Sequence, residues 1–295
     1  MRGFFPRNLR YNTAMKRMLL VFPHPDDESF VCGGTIAKYA RVGWEIHLIC
    51  ATRGELGNRG PYGDIDGDSL GAIRQKELET VRKHLGIANV AFLDYKDGTL
   101  TRSKPGDLEE IIFRTLRSLA PAVVITFEPG GISNHSDHIR LTRATTFAFQ
   151  KYVKSIVHVQ EIGISQEKPP RHPRDAWQIE FAHVTFDLTS PKLYYACLPK
   201  SIGDHLVETK VFPPEVFGKP WSTTPDKFIT TVIDTKDVMK KKKDALGLYE
   251  TQKEDVARFM SDSSHVLLKQ EFFILRMQGE QEVFMGKNDR VSDRL

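Results

Sequence analysis

The sequence predicts an α/β protein built on a doubly wound, mostly parallel sheet with helices on both faces. Three observations carry this. Short apolar runs that do not alternate with polar residues recur through the first half, as expected of strands buried on both faces. Each is followed by a stretch with helical spacing, and the connections are short enough to demand simple crossovers. Charged residues gather at the ends of the runs, where ligands bind in open parallel sheets.

The first run, Met18-Leu19-Leu20-Val21-Phe22, ends abruptly in Pro23-His24-Pro25-Asp26-Asp27-Glu28, and a helix follows through Ile36 to Arg41. The second, Glu45 to Ala51, closes on Thr52-Arg53-Gly54-Glu55, before a loop rich in Gly and Asp from Gly57 to Gly67. Ile73, Leu78, Val81 and Leu85 set a helix over 72–85 that stops at Gly86. A third strand spans Asn89 to Asp94. Asp107 is placed as the cap of a helix carrying Leu108, Ile111, Ile112, Leu116 and Leu119, ending before Pro121. The fourth strand is Val123 to Phe127. Beyond it lie a glycine-containing loop, His135-Ser136-Asp137-His138, and a helix to about Val153.

The second half is less regular. Prolines at 169, 170 and 173 mark 162–175 as a surface loop, and 200–226 reads the same way. Strands are expected at Val184–Leu188, Leu193–Leu198 and Phe228–Ile233, a helix at Lys236–Tyr249, and a last helix and strand over Val256–Phe273. Residues 1–14 are read as a poorly structured extension, 15–278 as a single α/β domain with extra C-terminal strands and helices, and 279–295 as a mobile tail.

Composition excludes several classes of function. Apolar residues at 40% and charged residues at 27% are ordinary for a globular protein that buries a large core. The net charge of +4 is dispersed, and the one dense basic block, Lys240-Lys241-Lys242-Lys243, has no interleaved aromatics; it reads as a solvated helix face, not a nucleic-acid grip. No apolar stretch approaches the roughly 20 residues of a membrane span. Cys32, Cys50 and Cys197 are odd in number, far apart and lack a metal or redox spacing, which points to a reducing, cytoplasmic setting.

Chemistry has two anchors, one after the first strand and one after the fourth. His24 and Asp27 are three apart, so both can face one centre, and imidazole with carboxylate is a common zinc pairing. A catalytic zinc takes three protein ligands and leaves a position for water; the clusters hold more groups than that, and the surplus can handle protons. By themselves the acids could equally favour a helix start, or hold Mg²⁺ beside a nucleotide, although no G-x-G-x-x-G or Walker pattern is present. A non-catalytic sugar-binding module is a further alternative.

Pro23–Glu28, Thr52–Glu55 and His135–His138 resemble the three signatures of the LmbE-like or PIG-L family of zinc-dependent N-acetylglucosaminyl deacetylases. The likeness covers 18 to about 150 and extends more weakly to Leu193-Tyr194-Tyr195 and to Lys243–Gln252. It implies a Rossmann-like sheet holding Zn²⁺ through His24, Asp27 and His138. Asp26 would be the general base on the attacking water, His135 would stabilise the oxyanion or protonate the departing amine, and Asp137 would orient an imidazole. Arg74 and Asp97 resemble positions that contact substrate hydroxyls; the competing reading of Arg74 is an exposed helical ion pair with Glu77.

Two residues depart from the pattern. Ser136 stands where many relatives have the proline of His-Pro-Asp-His, and Tyr249 where a histidine is often found. The second departure bears on substrate contacts more than on metal binding. The partner implied is a small N-acetylated amino sugar or glycoconjugate, or a sugar-linked thiol conjugate cleaved by a related amidase; no nucleic acid or membrane is implied, and a homo-oligomer is allowed. The family's membrane-anchored members carry an N-terminal span that is not found here.

Overall fold

The computed structural model describes residues 16–161, 190–283 and 291–295. Five parallel strands form its centre: β1 (Arg17–Phe22), β2 (Glu45–Cys50), β3 (Asn89–Phe92), β4 (Val123–Phe127) and β5 (Lys192–Ala196). Their spatial order is β3-β2-β1-β4-β5. All six residues of β1 are buried, Met18, Leu20 and Phe22 in the core on one face and Leu19 and Val21 in the core on the other. That two-sided burial is why the run does not alternate.

The helices α1 (Asp27–Arg41), α2 (Gly67–Leu85), α3 (Asp107–Leu119) and α4 (Ser136–Glu161) fall between successive strands. From β1 the chain winds outward to β2 and β3, then returns to lay β4 on the other side of β1. The winding direction therefore reverses between β1 and β4, and their carboxyl ends flank the crevice where such sheets bind ligands.

The C-terminal half adds α5 (Lys200–Glu208), a small hairpin of β6 (Glu215–Val216) and β7 (Lys219–Pro220), β8 (Thr231–Asp234), α6 (Met239–Gly247), α7 (Lys253–Phe259), α8 (His265–Lys269), β9 (Gln270–Gln278) and β10 (Gln281–Glu282). β9 runs antiparallel to β5 and carries β8 and β10, so both halves share one sheet.

β9 also reaches under α1. That helix is broken at Cys32 (φ −146°, ψ 20°), which frees amides one turn inside it. Glu271 of β9 accepts from the Gly34 and Thr35 N–H groups at 2.8 and 2.7 Å. Lys242 of α6, fully buried, donates to the same carboxylate at 2.6 Å. A buried charge pair thus caps the second segment of α1 and leaves the first, with Asp27 and Glu28, free to take its own direction.

Several expectations are corrected. Asp107 is the first helical residue, not the cap; Gly106 holds the cap position, and Asp107 contributes charge to the helix start. Residues 200–226 are not one loop, since α5 and the β6–β7 hairpin lie there. The described parts of the tail are docked: β10 pairs with β9, Ser292 bridges to Thr231, and the Leu295 N–H donates to the Tyr39 hydroxyl at 2.8 Å. Residues 1–14, the loop at 162–175 and the strand expected at Val184–Leu188 lie outside the described residues.

Candidate metal centre and active site

His24 and His138 are 114 positions apart, yet His24 Nδ1 lies 3.2 Å from His138 Nε2. The Asp27 carboxylate closes a triangle, 3.4 Å from His24 Nδ1 and 3.5 Å from His138 Nε2. Two ligands bound tetrahedrally at about 2.0–2.1 Å are about 3.3–3.4 Å apart. The donor set therefore fits a divalent ion in size and in chemistry, and sets of metal-ligating groups within reach of one another are also formed by His24, His135 and His138 and by His24, Asp97 and Asp137.

The backbone holds each group by a different device. The loop between β1 and α1 is tied to the end of β2, where Thr52 donates to the Pro23 carbonyl through its N–H at 2.9 Å and its hydroxyl at 3.0 Å. Asp26 sits at φ 105°, a conformation an L-residue adopts at a cost, and its carboxylate meets Arg74 Nη2 at 2.9 Å. Arg74 also donates to the carbonyls of Gly54 and Pro25 at 2.9 and 2.6 Å. A Cβ on Gly54 would fall 2.0 Å from Arg74 Nη1, so this clamp requires glycine.

After β4, Glu128 accepts from the Gly130 and Ile132 N–H groups at 2.7 and 2.8 Å and folds the loop back. The Gly131 carbonyl then lies 2.9 Å from His138 Nδ1. With the proton on that nitrogen, the Nε2 lone pair faces Asp27 and His24, the tautomer a metal ligand needs. Phe127 stacks on the His138 ring at 4.3 Å and 5° and fixes its plane. Gly131 is at φ 69°, and a Cβ there would meet His138 Cβ at 2.4 Å.

The far edge of His24 faces carboxylates: Nε2 is 2.9 Å from Asp97 Oδ1 and 3.6 Å from Asp137. Asp137 is itself locked by the Gly98 and Leu100 N–H groups at 2.7 and 3.1 Å. His135 accepts the Asp137 backbone N–H at Nδ1, 3.2 Å, which leaves its Nε2 to carry the proton. Its ring packs edge-on against Phe217 at the tip of the β6–β7 hairpin.

Burial and charge pull the titrations apart. Burial pushes the Asp26 carboxyl well above its ordinary range, with Asp27 and Glu28 adding to the rise against the Arg74 guanidinium. Desolvation lowers His138 to about 4, so it is neutral. His135 is lowered by burial and by His24. His24 goes the other way: desolvation opposes it, but the Asp137, Asp27 and Asp97 carboxylates together hold it well above the usual imidazole value. Asp27 is lowered, the cost of its burial being outweighed by His138 and His24.

The residues expected at the site thus come together. Arg74 is not the exposed partner of Glu77: it is 3% exposed, and Glu77 instead accepts from the Thr251 N–H and hydroxyl. Arg74 and Asp97, expected at the substrate, are turned toward Asp26 and His24. Ser136 is exposed at the start of α4. Tyr249 is buried, and its hydroxyl donates to Glu28 at 2.7 Å beneath the cluster. Sequence reasoning missed that contact, the Glu128 brace and Phe217, none of which has a local signal.

Among the described residues no helix is long and apolar enough to cross a membrane. The family described as PIG-L, GlcNAc-PI de-N-acetylase, matches residues 19–149. A 1D-myo-inositol 2-acetamido-2-deoxy-alpha-D-glucopyranoside deacetylase of Thermobifida fusca is 31% identical over 265 residues, covering 80% of this chain and 83% of that protein. One of the same description from Kineococcus radiotolerans is 38% identical over 160 residues, but the match spans 45% of this chain and only 44% of that protein's length. Among solved structures, the N,N'-diacetylchitobiose deacetylase of Pyrococcus horikoshii superimposes with a TM-score of 0.58 at 20% identity, covering 90% of this chain and 85% of that one. The fold, the signatures at the ends of β1, β2 and β4 and the likeness to the Thermobifida protein over four-fifths of the chain lead to one statement: the chain belongs to the PIG-L family of de-N-acetylases.

Proposed function

We propose that this chain removes an N-acetyl group from a small N-acetylglucosamine-type sugar or glycoconjugate, releasing acetate and a free amine, with zinc held by His24, Asp27 and His138. The observation that carries the reading is the triangle of donor atoms at 3.2–3.5 Å, flanked by Asp26 on one side and His135 on the other. Two imidazoles and a carboxylate favour zinc over magnesium, which prefers oxygen. When bound, zinc supplies Lewis-acid polarisation of the amide carbonyl and acidifies the attacking water.

The chain's own groups do the rest. Asp26 takes a proton from the water; its raised pKa brings it toward the range in which a general base works at neutral pH, and Arg74 holds it in place. His135, neutral with its proton on Nε2, donates a hydrogen bond to the carbonyl oxygen as charge builds there, and the proton taken up by Asp26 passes to the departing nitrogen. Asp97 and Asp137 orient His24, and the Gly131 carbonyl orients His138.

The test is an acetate-release screen over soluble N-acetylglucosamine conjugates, run on protein whose metal content is measured, with and without a chelator. Stoichiometric zinc and chelator-sensitive release are expected. Release that persists after complete metal removal would overturn the reading.

A further inference from the structure

Phe217 stands at the mouth of the site. The side chains of His24, Asp27 and His138 are 9–10% exposed and that of His135 is 21% exposed, so solvent reaches the imidazoles chiefly at His135. The His135 ring lies 4.7 Å from the His24 ring and 5.0 Å from the Phe217 ring, centroid to centroid. Phe217 is thus one ring further out than His135 along the row that starts at the metal ligands, and at 66% exposure most of its surface is open.

The chain builds this position at a cost. β6 and β7 contribute two residues each, a hairpin too short to be stable alone, and it is fastened to the loop that carries His135. Asn134 donates to the Pro220 carbonyl at 2.7 Å, and the Ser222 N–H donates to the Ile132 carbonyl at 2.8 Å. Phe217 and His135 are therefore held as one body. At φ 51° the turn position disfavours an aromatic residue, and nothing in the packing of the hairpin requires one there. Strain kept beside a catalytic group points to a task for the side chain.

The chemistry of the substrate supplies that task. Two bonds separate the acyl carbon of an N-acetylated amino sugar from the pyranose ring, so an acetamide held between the metal ligands and His135 leaves its sugar beside the next group outward. In a β-glucosaminide the ring substituents are equatorial, and axial C–H bonds point out of both faces of the chair. These carry slight positive charge and match the negative face of an aromatic ring, while the hydroxyls stay at the rim in water. We propose that Phe217 is the platform on which the pyranose ring stacks, C–H face on aromatic face, and that it positions the acetamide against His135; the proposal rests on the amide-hydrolase reading above.

The experiment compares methyl N-acetyl-β-glucosaminide with N-acetylethanolamine, which has the amide and no sugar ring, as substrates of the zinc-loaded full chain and its Phe217→Ala and Phe217→Trp variants. Alanine keeps the same backbone strain and removes only the ring. In Phe217→Ala, KM for the glycoside is expected to rise about tenfold while kcat stays within about twofold, the mark of lost binding that the ground and transition states share. Turnover of N-acetylethanolamine should not change, and Phe217→Trp should restore KM. An unchanged KM in Phe217→Ala, or an equal fall in kcat for both substrates, means that the ring serves His135 alone; either result overturns the platform and leaves the hydrolase reading standing. A second readout needs no turnover: in saturation-transfer NMR with methyl β-glucosaminide, irradiation of the aromatic protons should reach the ring C–H protons of the sugar in the parent protein and not in Phe217→Ala. That result supports the platform even if no amide is cleaved, in which case the hydrolase reading fails; equal transfer in both proteins overturns it.

Discussion

Arg74 donates to the Asp26 carboxylate at 2.9 Å across 48 positions of sequence, and the same guanidinium binds the carbonyl of Pro25. The clamp holds Asp26 in its φ 105° conformation. Asp26→Asn should therefore retain zinc, by metal analysis, yet lose about 10²–10⁴ in kcat. Arg74→Ala should lower kcat more than it raises KM, because it releases the base without removing it. Full turnover by the Asn variant would sink the assignment of the base.

His138→Ala removes one donor of the triangle and leaves the other two. Zinc affinity should fall by orders of magnitude, read by competition with a chromogenic chelator, while circular dichroism stays native because Phe127 and the Gly131 loop are still braced by Glu128. Metal also stabilises the fold by mass action. Zinc at a thousandfold excess over its Kd should add about 4 kcal/mol, visible as a Tm that depends on metal concentration in the parent protein and not in the variant.

Lys242 and Glu271 test how the broken helix is held. Lys242→Met leaves a buried carboxylate without its cation, and a loss of about 3–5 kcal/mol is expected in urea unfolding. Adding Glu271→Gln should recover a large part of it, since the amide oxygen can still accept from Gly34 or Thr35. A double variant no more stable than Lys242→Met would show that the charge pair is not what matters at this position.

Phe217 and Gly218 form the two-residue turn between β6 and β7, both at positive φ, 51° and 71°. That is the pattern of a type I′ turn, which favours asparagine or glycine at the place where Phe217 stands, 66% exposed beside His135. Phe217→Asn should raise stability by about 1 kcal/mol, measured as a shift in the urea midpoint without a change in slope. An unchanged midpoint would mean that the aromatic contact with His135 repays the strain.

The order of elements and the three signatures were legible because their causes are local. A two-sided apolar run followed by helical spacing has one stable arrangement, and short crossovers then force parallel strands whose ends must converge. His24, Asp27 and His138 were named from motifs that sit at the ends of β1 and β4, and the sheet order brings them within 3.5 Å. What only the tertiary structure decided involves partners with no local trace. Arg74 looked like half of a helical pair with Glu77 until α2 packed it under the Gly54 turn, and Glu271 reached Gly34 across 237 positions. The tail looked mobile for the same reason: its polar residues gave no periodicity, while its strand pairing on β9 and the bond from Leu295 to Tyr39 depend on surfaces that exist only once the sheet has formed. Sequence patterns report the forces a residue meets from its near neighbours; a buried charge or a sheet edge finds its partner wherever folding places one.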